Sequence, residues 1–180
     1  AIVSNRNREW NQVDTRIGLS IPLNYASGRT FKSFNAGTNY VLRNEIIKAV
    51  SKQNFGNVNF SYLTHFISFT QQIQRAVQHI YPRFAISASS TYNNAITYVD
   101  GYQFIGNGTL YVPGILATHN LVLSGSLQQR DTNFALFSTR IANARGYADY
   151  YRTNAGSRMW RLSANYHLRL FYFAWVFGNF

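Results

Sequence analysis

The feature that most constrains this chain is a period-two alternation of side-chain class. From Val13 through Thr15, Ile17, Leu19, Ile21 and Leu23 to Tyr25, every odd position is apolar or Thr, while Asp14, Arg16, Gly18, Ser20 and Asn24 hold even ones. Successive side chains of a strand point to opposite faces, so this spacing predicts a strand with one apolar and one polar face. The cleanest alternation runs from Trp160 through Leu162, Ala164, Tyr166 and Leu168 to Leu170, with Arg161, Ser163, Asn165, His167 and Arg169 between them. Weaker alternation passes through Phe34, Ala36, Thr38, Tyr40 and Leu42, through Val58, Phe60, Tyr62 and Phe66, and through Phe84, Ile86, Ala88 and Tyr92. Residues 102–112 and 119–130 are further strand candidates. Ordinary sheet strands average about five or six residues, whereas a tilted strand crossing a bilayer needs about 9 to 11. The predicted strands are long enough to cross.

Turn signals separate them at Ala26-Ser27-Gly28-Arg29, Asp100-Gly101, Pro113-Gly114 and Asn154-Ala155-Gly156-Ser157, because Gly and Asn accept positive φ and Pro pre-sets a turn. The only stretch with a helical reading is 44–54, and Ile46, Ile47 and Val50 equally suit an extension of the preceding strand. No linker, low-complexity tract or longer repeat breaks the hairpin rhythm, so residues 1–180 read as one all-β, antiparallel unit.

Composition removes several function classes. With 46% hydrophobic and 17% aromatic residues against 13% charged ones, disorder is excluded. The absence of Cys excludes a disulfide scaffold and a thiolate metal site. The longest uninterrupted apolar run, Phe171 to Phe177, has seven residues, far below the roughly 18 of a membrane-spanning helix. The opening Ala1-Ile2-Val3-Ser4-Asn5-Arg6 lacks the pattern of a signal peptide, as expected of a mature start or an internal fragment. His65, His79, His119 and His167 lack metal-ligand spacing, and the polar face around His167 suggests a hydrogen-bonded residue instead. The six acids, Glu9, Asp14, Glu45, Asp100, Asp131 and Asp149, form no sequence pair for acid/base work. Leu123-Ser124-Gly125-Ser126-Leu127 sits inside a strand pattern and lacks the first Gly of a nucleophile elbow. No catalysis, cofactor or metal is expected. A net charge of +11 with interleaved aromatics suits nucleic acid in principle, but no recognised nucleic-acid-binding pattern accompanies it; a basic rim on anionic lipid head groups needs less.

The two faces separate barrel types. A soluble barrel points its apolar face inward and carries charge outside, whereas a membrane barrel turns its apolar face to lipid and a small polar face to a wet lumen. Here the polar face is Ser, Asn, Gly, Thr and Gln with occasional Arg, and Lys is scarce. Aromatics gather near strand ends, at Trp10, Tyr25, Phe31, Tyr81, Tyr111, Trp160, Phe171, Tyr172 and Trp175, as in interfacial girdles, although Tyr and Phe are also good strand formers anywhere. The predicted architecture is an antiparallel transmembrane β-barrel, or seven to eight strands of a larger one. Ser163, Asn165 and His167 are expected to face the lumen, and Leu162, Ala164, Tyr166 and Leu168 the lipid.

Between a strand expected to end near Arg140 and the strand beginning near Arg158 lies a long loop at about 141–157, with Asn143-Ala144-Arg145-Gly146-Tyr147 followed by Asp149, Tyr150, Tyr151 and Arg152. Ala144-Arg145-Gly146-Tyr147 resembles the Val-Arg-Gly-Phe/Tyr lid-loop motif of the BamA/TamA-type outer-membrane assembly and bacterial surface-antigen superfamily. The strand from Trp160 to Leu170 resembles the one that follows that loop, with Arg169 where the family commonly has Pro. Ser20-Ile21-Pro22-Leu23 and Gln78-His79-Ile80-Tyr81-Pro82-Arg83-Phe84 also resemble strand ends of Bacteroidota-type members, extending the similarity loosely over residues 10 to 175.

The resemblance implies a sixteen-stranded barrel in the bacterial outer membrane whose sixth loop folds back into the lumen. Arg145 would be the lumen anchor, Gly146 would permit the tight backbone, and Tyr147 would pack on the barrel wall. Asp149 and Asp131 are the candidate Arg145 partners within the chain, because a confined guanidinium needs a carboxylate or carbonyl. The length implies the middle of a longer protein, with the usual upstream periplasmic domains and further strands lying outside these residues. The expected function is assistance in inserting or translocating other outer-membrane polypeptides. Expected partners are the lipid bilayer, lipopolysaccharide, and other outer-membrane or periplasmic proteins, without nucleic acid. The alternatives are a complete eight-stranded barrel acting as a pore or structural protein, for which the terminal Phe180 would be the final aromatic, and a soluble lipid-binding β-barrel.

Overall fold

The computed structural model describes residues 10–47, 58–73, 81–97, 100–116, 119–132, 136–141 and 156–168. These residues form β1 (Trp10–Ser27), β2 (Thr30–Ile47), β3 (Val58–Ile73), β4 (Phe84–Ala95), β5 (Tyr102–Pro113), β6 (Asn120–Arg130) and β7 (Arg158–His167). All seven belong to one antiparallel sheet, ordered β1-β2-β3-β4-β5-β6-β7 as in the chain. The chain is therefore all-β. Among the described residues β1 and β7 do not pair, so the sheet is open at both edges.

β1 and β2 form a continuous ladder from Ser27↔Thr30 to Trp10↔Ile47. The two-residue turn at Gly28-Arg29 sets this register, and Gly28 adopts φ +55°, a conformation that a side chain would strain. β2 continues through Asn44 to Ile47, so the helical reading of that stretch fails where it is described. Ladder pairing with Val13 to Trp10 outweighs the weak local preference. Residues 48–54 lie outside the described part.

The register aligns the alternation of all strands. One face carries the row Asn24, Ser33, Thr70, Ser87, Thr109, Ser124 and Ser163, an uncharged band running from β1 to β7. The other carries the row Leu23, Phe34, Phe69, Ala88, Gly108, Gly125 and Leu162. This second, outer face is open to the surroundings: Leu19 is 85% exposed, Leu162 74%, and Ile67, on β3 away from either edge, 54%. No second sheet covers Leu162 among the described residues. Burying a Leu or Ile is worth about 1.5–3 kcal/mol, so in water this face would forgo that gain at position after position.

Glycine has a steric role on the inner face. A Cβ on Gly37 would lie 2.5 Å from the Leu19 carbonyl oxygen and 2.6 Å from the Phe66 ring. Phe66, the cross-strand partner of Gly37, thus lies over the backbone that a side chain would have filled.

The principal buried cluster also lies on the inner face. Val41, Phe60, Tyr62 and Phe137 form it, with Leu136 against them. Phe137 belongs to the connection between β6 and β7, which at 136–141 crosses the inner face instead of extending the sheet. Among the described residues, 136–141 form no strand, so the strand expected to end near Arg140 is not seen there. β6 stops at Arg130; the Asp131 amide still bonds the Tyr102 carbonyl of β5, and from Phe137 to Arg140 the backbone bonds to side chains of the sheet.

Candidate functional site

The site is built toward the end of the sheet where β1 and β3 begin and β2 stops. Asp14 and Arg43 are ladder partners, which brings a carboxylate and a guanidinium 29 positions apart into one fork. Arg43 Nε donates to Asp14 Oδ1 at 2.9 Å and Nη2 to Oδ2 at 3.0 Å. Nη2 also donates to the Tyr62 hydroxyl at 3.0 Å. The guanidinium carbon lies 5.6 Å from the Phe60 ring centroid and 5.3 Å from that of Tyr62, so two aromatic faces share its charge. With side chains only 9% and 15% exposed for Arg43 and Asp14, this bidentate pair is stronger and less screened than a surface pair. Gln12 Nε2 donates a further 2.9 Å bond to Asp14 Oδ1, and Arg16 approaches Oδ2 at 3.4 Å.

Phe137 packs beside this group, edge-on to Tyr62 at 5.3 Å and to Phe60 at 6.2 Å between centroids. Its backbone is held by the last two members, Gln103 and Arg130, of a polar row that the register aligns across the sheet from Asn39 through Thr64 and Asn93. Thr64 Oγ1 donates to Asn93 Oδ1 at 2.8 Å, and Asn93 Nδ2 donates to Gln103 Oε1 at 3.1 Å. Gln103 Nε2 in turn donates to the Ser138 carbonyl at 2.7 Å. Arg130 Nη1 donates to the Phe137 carbonyl at 2.8 Å and Nε to the Gly156 carbonyl at 3.3 Å. In the next row, Gln128 Oε1 accepts the Arg140 amide at 2.8 Å. Gln103 and Gln128 are each 1% exposed. Such burial is tolerable because each amide serves a backbone group that no strand completes.

Below Arg140 the inner face leaves a hollow of about 440 Å³, bounded by residues of β1 to β5 and by Arg140 itself. Among the described residues no carboxylate lines it, and its charged groups are Arg16 and Arg140. At the opposite end of the sheet, Tyr166 Oη lies 3.0 Å from His119 Nδ1 and accepts the Ile115 amide at 3.0 Å. Tyr81 stacks on His167 at 4.5 Å, with its hydroxyl 3.4 Å from His167 Nδ1.

Of the residues expected from sequence, Ser163, Asn165 and His167 lie on the same face as Gln128 and Met159, the face that residues 136–141 cover. They are not part of the clasp around Phe137. Asp131 follows β6 directly, and its amide donates to the Tyr102 carbonyl at 2.9 Å. Arg145, Gly146, Tyr147 and Asp149, the motif and its other candidate partner, lie outside the described residues, as does most of 141–157.

Sequence reading missed Gln103, Gln128, Arg130, Phe137 and the Asp14–Arg43 fork. The fork had a usable signal, since counting outward from a two-residue turn at Gly28-Arg29 sets Asp14 opposite Arg43. Comparison with family models, curated proteins and solved structures finds no match for this chain.

Proposed function

We propose that this chain is a sector of a bacterial outer-membrane β-barrel that, without catalysis, assists the insertion or translocation of other outer-membrane polypeptides. The observation that carries the reading is the pairing of an exposed apolar outer face with a polar inner face, crossed by an uncharged Ser and Thr band, along strands of 10 to 18 residues. In a bilayer the exposed Leu and Ile side chains meet hydrocarbon, and the Ser, Thr and Asn rows meet water. Open sheet edges have no place in lipid, so further strands or further chain must complete the wall. The connection that turns onto the inner face supports a closed or lidded lumen, in keeping with the lid-loop resemblance of Ala144-Arg145-Gly146-Tyr147.

A passive pore or structural barrel is the second reading, favoured by the wet, uncharged Ser and Thr row that any conducting lumen would show. Reconstitution of the full-length protein into liposomes separates the two. Faster membrane insertion of an unfolded outer-membrane polypeptide than into protein-free liposomes is expected from an assembly factor. Unchanged insertion overturns that role, and recovery of the protein in the soluble fraction after alkaline extraction of membranes overturns the barrel itself.

A further inference from the structure

We infer that the hollow between Arg16 and Arg140 binds a small anionic sugar, a sugar phosphate or a sugar acid. This goes beyond the barrel reading and does not rest on it, because the described residues that form the hollow belong to β1 to β5 and to position 140. Its volume, about 440 Å³, falls in the range of small-molecule sites and is too small for a folded partner.

The charge is one-sided. Arg16 comes from β1 and Arg140 from the connection crossing the inner face. Arg140 makes no ion pair among the described residues, and Arg16 reaches only the far oxygen of an Asp14 already held by Arg43, at 3.4 Å with 60% of its side chain exposed. Two guanidinium side chains lining one hollow suit a phosphate or carboxylate, which each can bind in bidentate fashion. Arg140 is also fixed in place, since its own amide is bonded to the buried Gln128.

The rest of the wall suits hydroxyl groups. Asn39, Thr91 and Asn107 line the hollow, and none of their side chains has a hydrogen-bond partner among the described residues. Asn93 and Thr64, by contrast, are engaged with each other and with Gln103. A bare inorganic anion would satisfy the guanidinium groups and leave these amides and the Thr hydroxyl unmet. A hydroxyl-rich body pairs them, and Phe66 offers its apolar side to the ring.

The test is isothermal titration of the full-length protein in detergent micelles with glucose 6-phosphate, glucuronate, inorganic phosphate and glucose. Both sugar anions should bind at least tenfold more tightly than glucose or inorganic phosphate, and more weakly as salt is raised. Arg140→Gln and Arg16→Gln should each weaken glucose 6-phosphate binding about tenfold with the strand signal in circular dichroism intact, and Arg140→Lys should fall between Arg140→Gln and the native protein. Glucose binding as tightly as its phosphate, inorganic phosphate binding as tightly as glucose 6-phosphate, or native affinity in the Arg16→Gln/Arg140→Gln double variant would each overturn the assignment.

Discussion

Phe137→Ala tests how the β6–β7 connection is held. The side chain is 4% exposed, between Phe60 and Tyr62, and truncating a buried Phe typically costs about 3–5 kcal/mol. The loss is not spread over the sheet, because residues 136–141 contribute no strand to it. What remains after truncation is the backbone clasp. Two amide contacts, Gln103 to Ser138 and Arg140 to Gln128, are worth about 0.5–1.5 kcal/mol each, and the Arg130 contact to Phe137 about 1.5–3. Against them stands the ordering of six residues at about 1–2 kcal/mol apiece. The clasp alone does not hold the segment, so removing the ring should release it while the ladders stay paired. Because the chain contains no Cys, a single Cys at Thr139 reports the opening without background. At the lower bound of about 3 kcal/mol, thiol labelling in the regime where opening and closing are fast relative to modification should accelerate about a hundredfold in the Phe137→Ala background. Equal labelling rates in the two backgrounds would refute the claim that Phe137 anchors the segment. Equal loss of amide protection in β3 and β5 would refute the claim that the anchoring is local.

Further expectations concern the wall and the fork. Gly37→Val should lower stability by about 1–3 kcal/mol, read as a lower denaturant midpoint, since its side chain meets the Leu19 carbonyl as well as the Phe66 ring. A double-mutant cycle on Asp14→Asn and Arg43→Met should return a coupling of about 1.5–3 kcal/mol; additive effects would mean that the pair is ornamental. On the membrane reading, Ile67→Arg should destabilise the protein in bilayers by about 2–4 kcal/mol if residue 67 lies near the midplane, whereas Ser124→Arg on the inner face should be tolerated. Matching effects of the two substitutions on urea unfolding from liposomes would contradict the assignment of faces.

The strands were legible because their information is local. Alternation located all seven, and the Gly28-Arg29 turn alone specifies the register of the longest pair. The site was much less legible. Leu136 and Phe137 fall in a stretch expected to form a strand ending near Arg140. Their fate depends on Gln103, Gln128 and Arg130, whose convergence exists only once three ladders are in register. Buried glutamines inside a polar alternation carry no local mark that separates a clasp from an ordinary wet surface. The Asp14–Arg43 fork lies between these extremes, since one correctly placed turn is enough to find it.

The sheet's spatial order, identical to its chain order, imposes a schedule on assembly. Each strand finds its partner immediately upstream, so the wall can grow hairpin by hairpin as the chain emerges, with no early strand waiting for a distant one. The exception is the segment carrying Phe137. Its docking site, on β2, β3, β5 and β6, is finished before β7 is added. The segment can therefore settle while one flank of the sheet is still open, a side entrance that any later closure of the wall would remove.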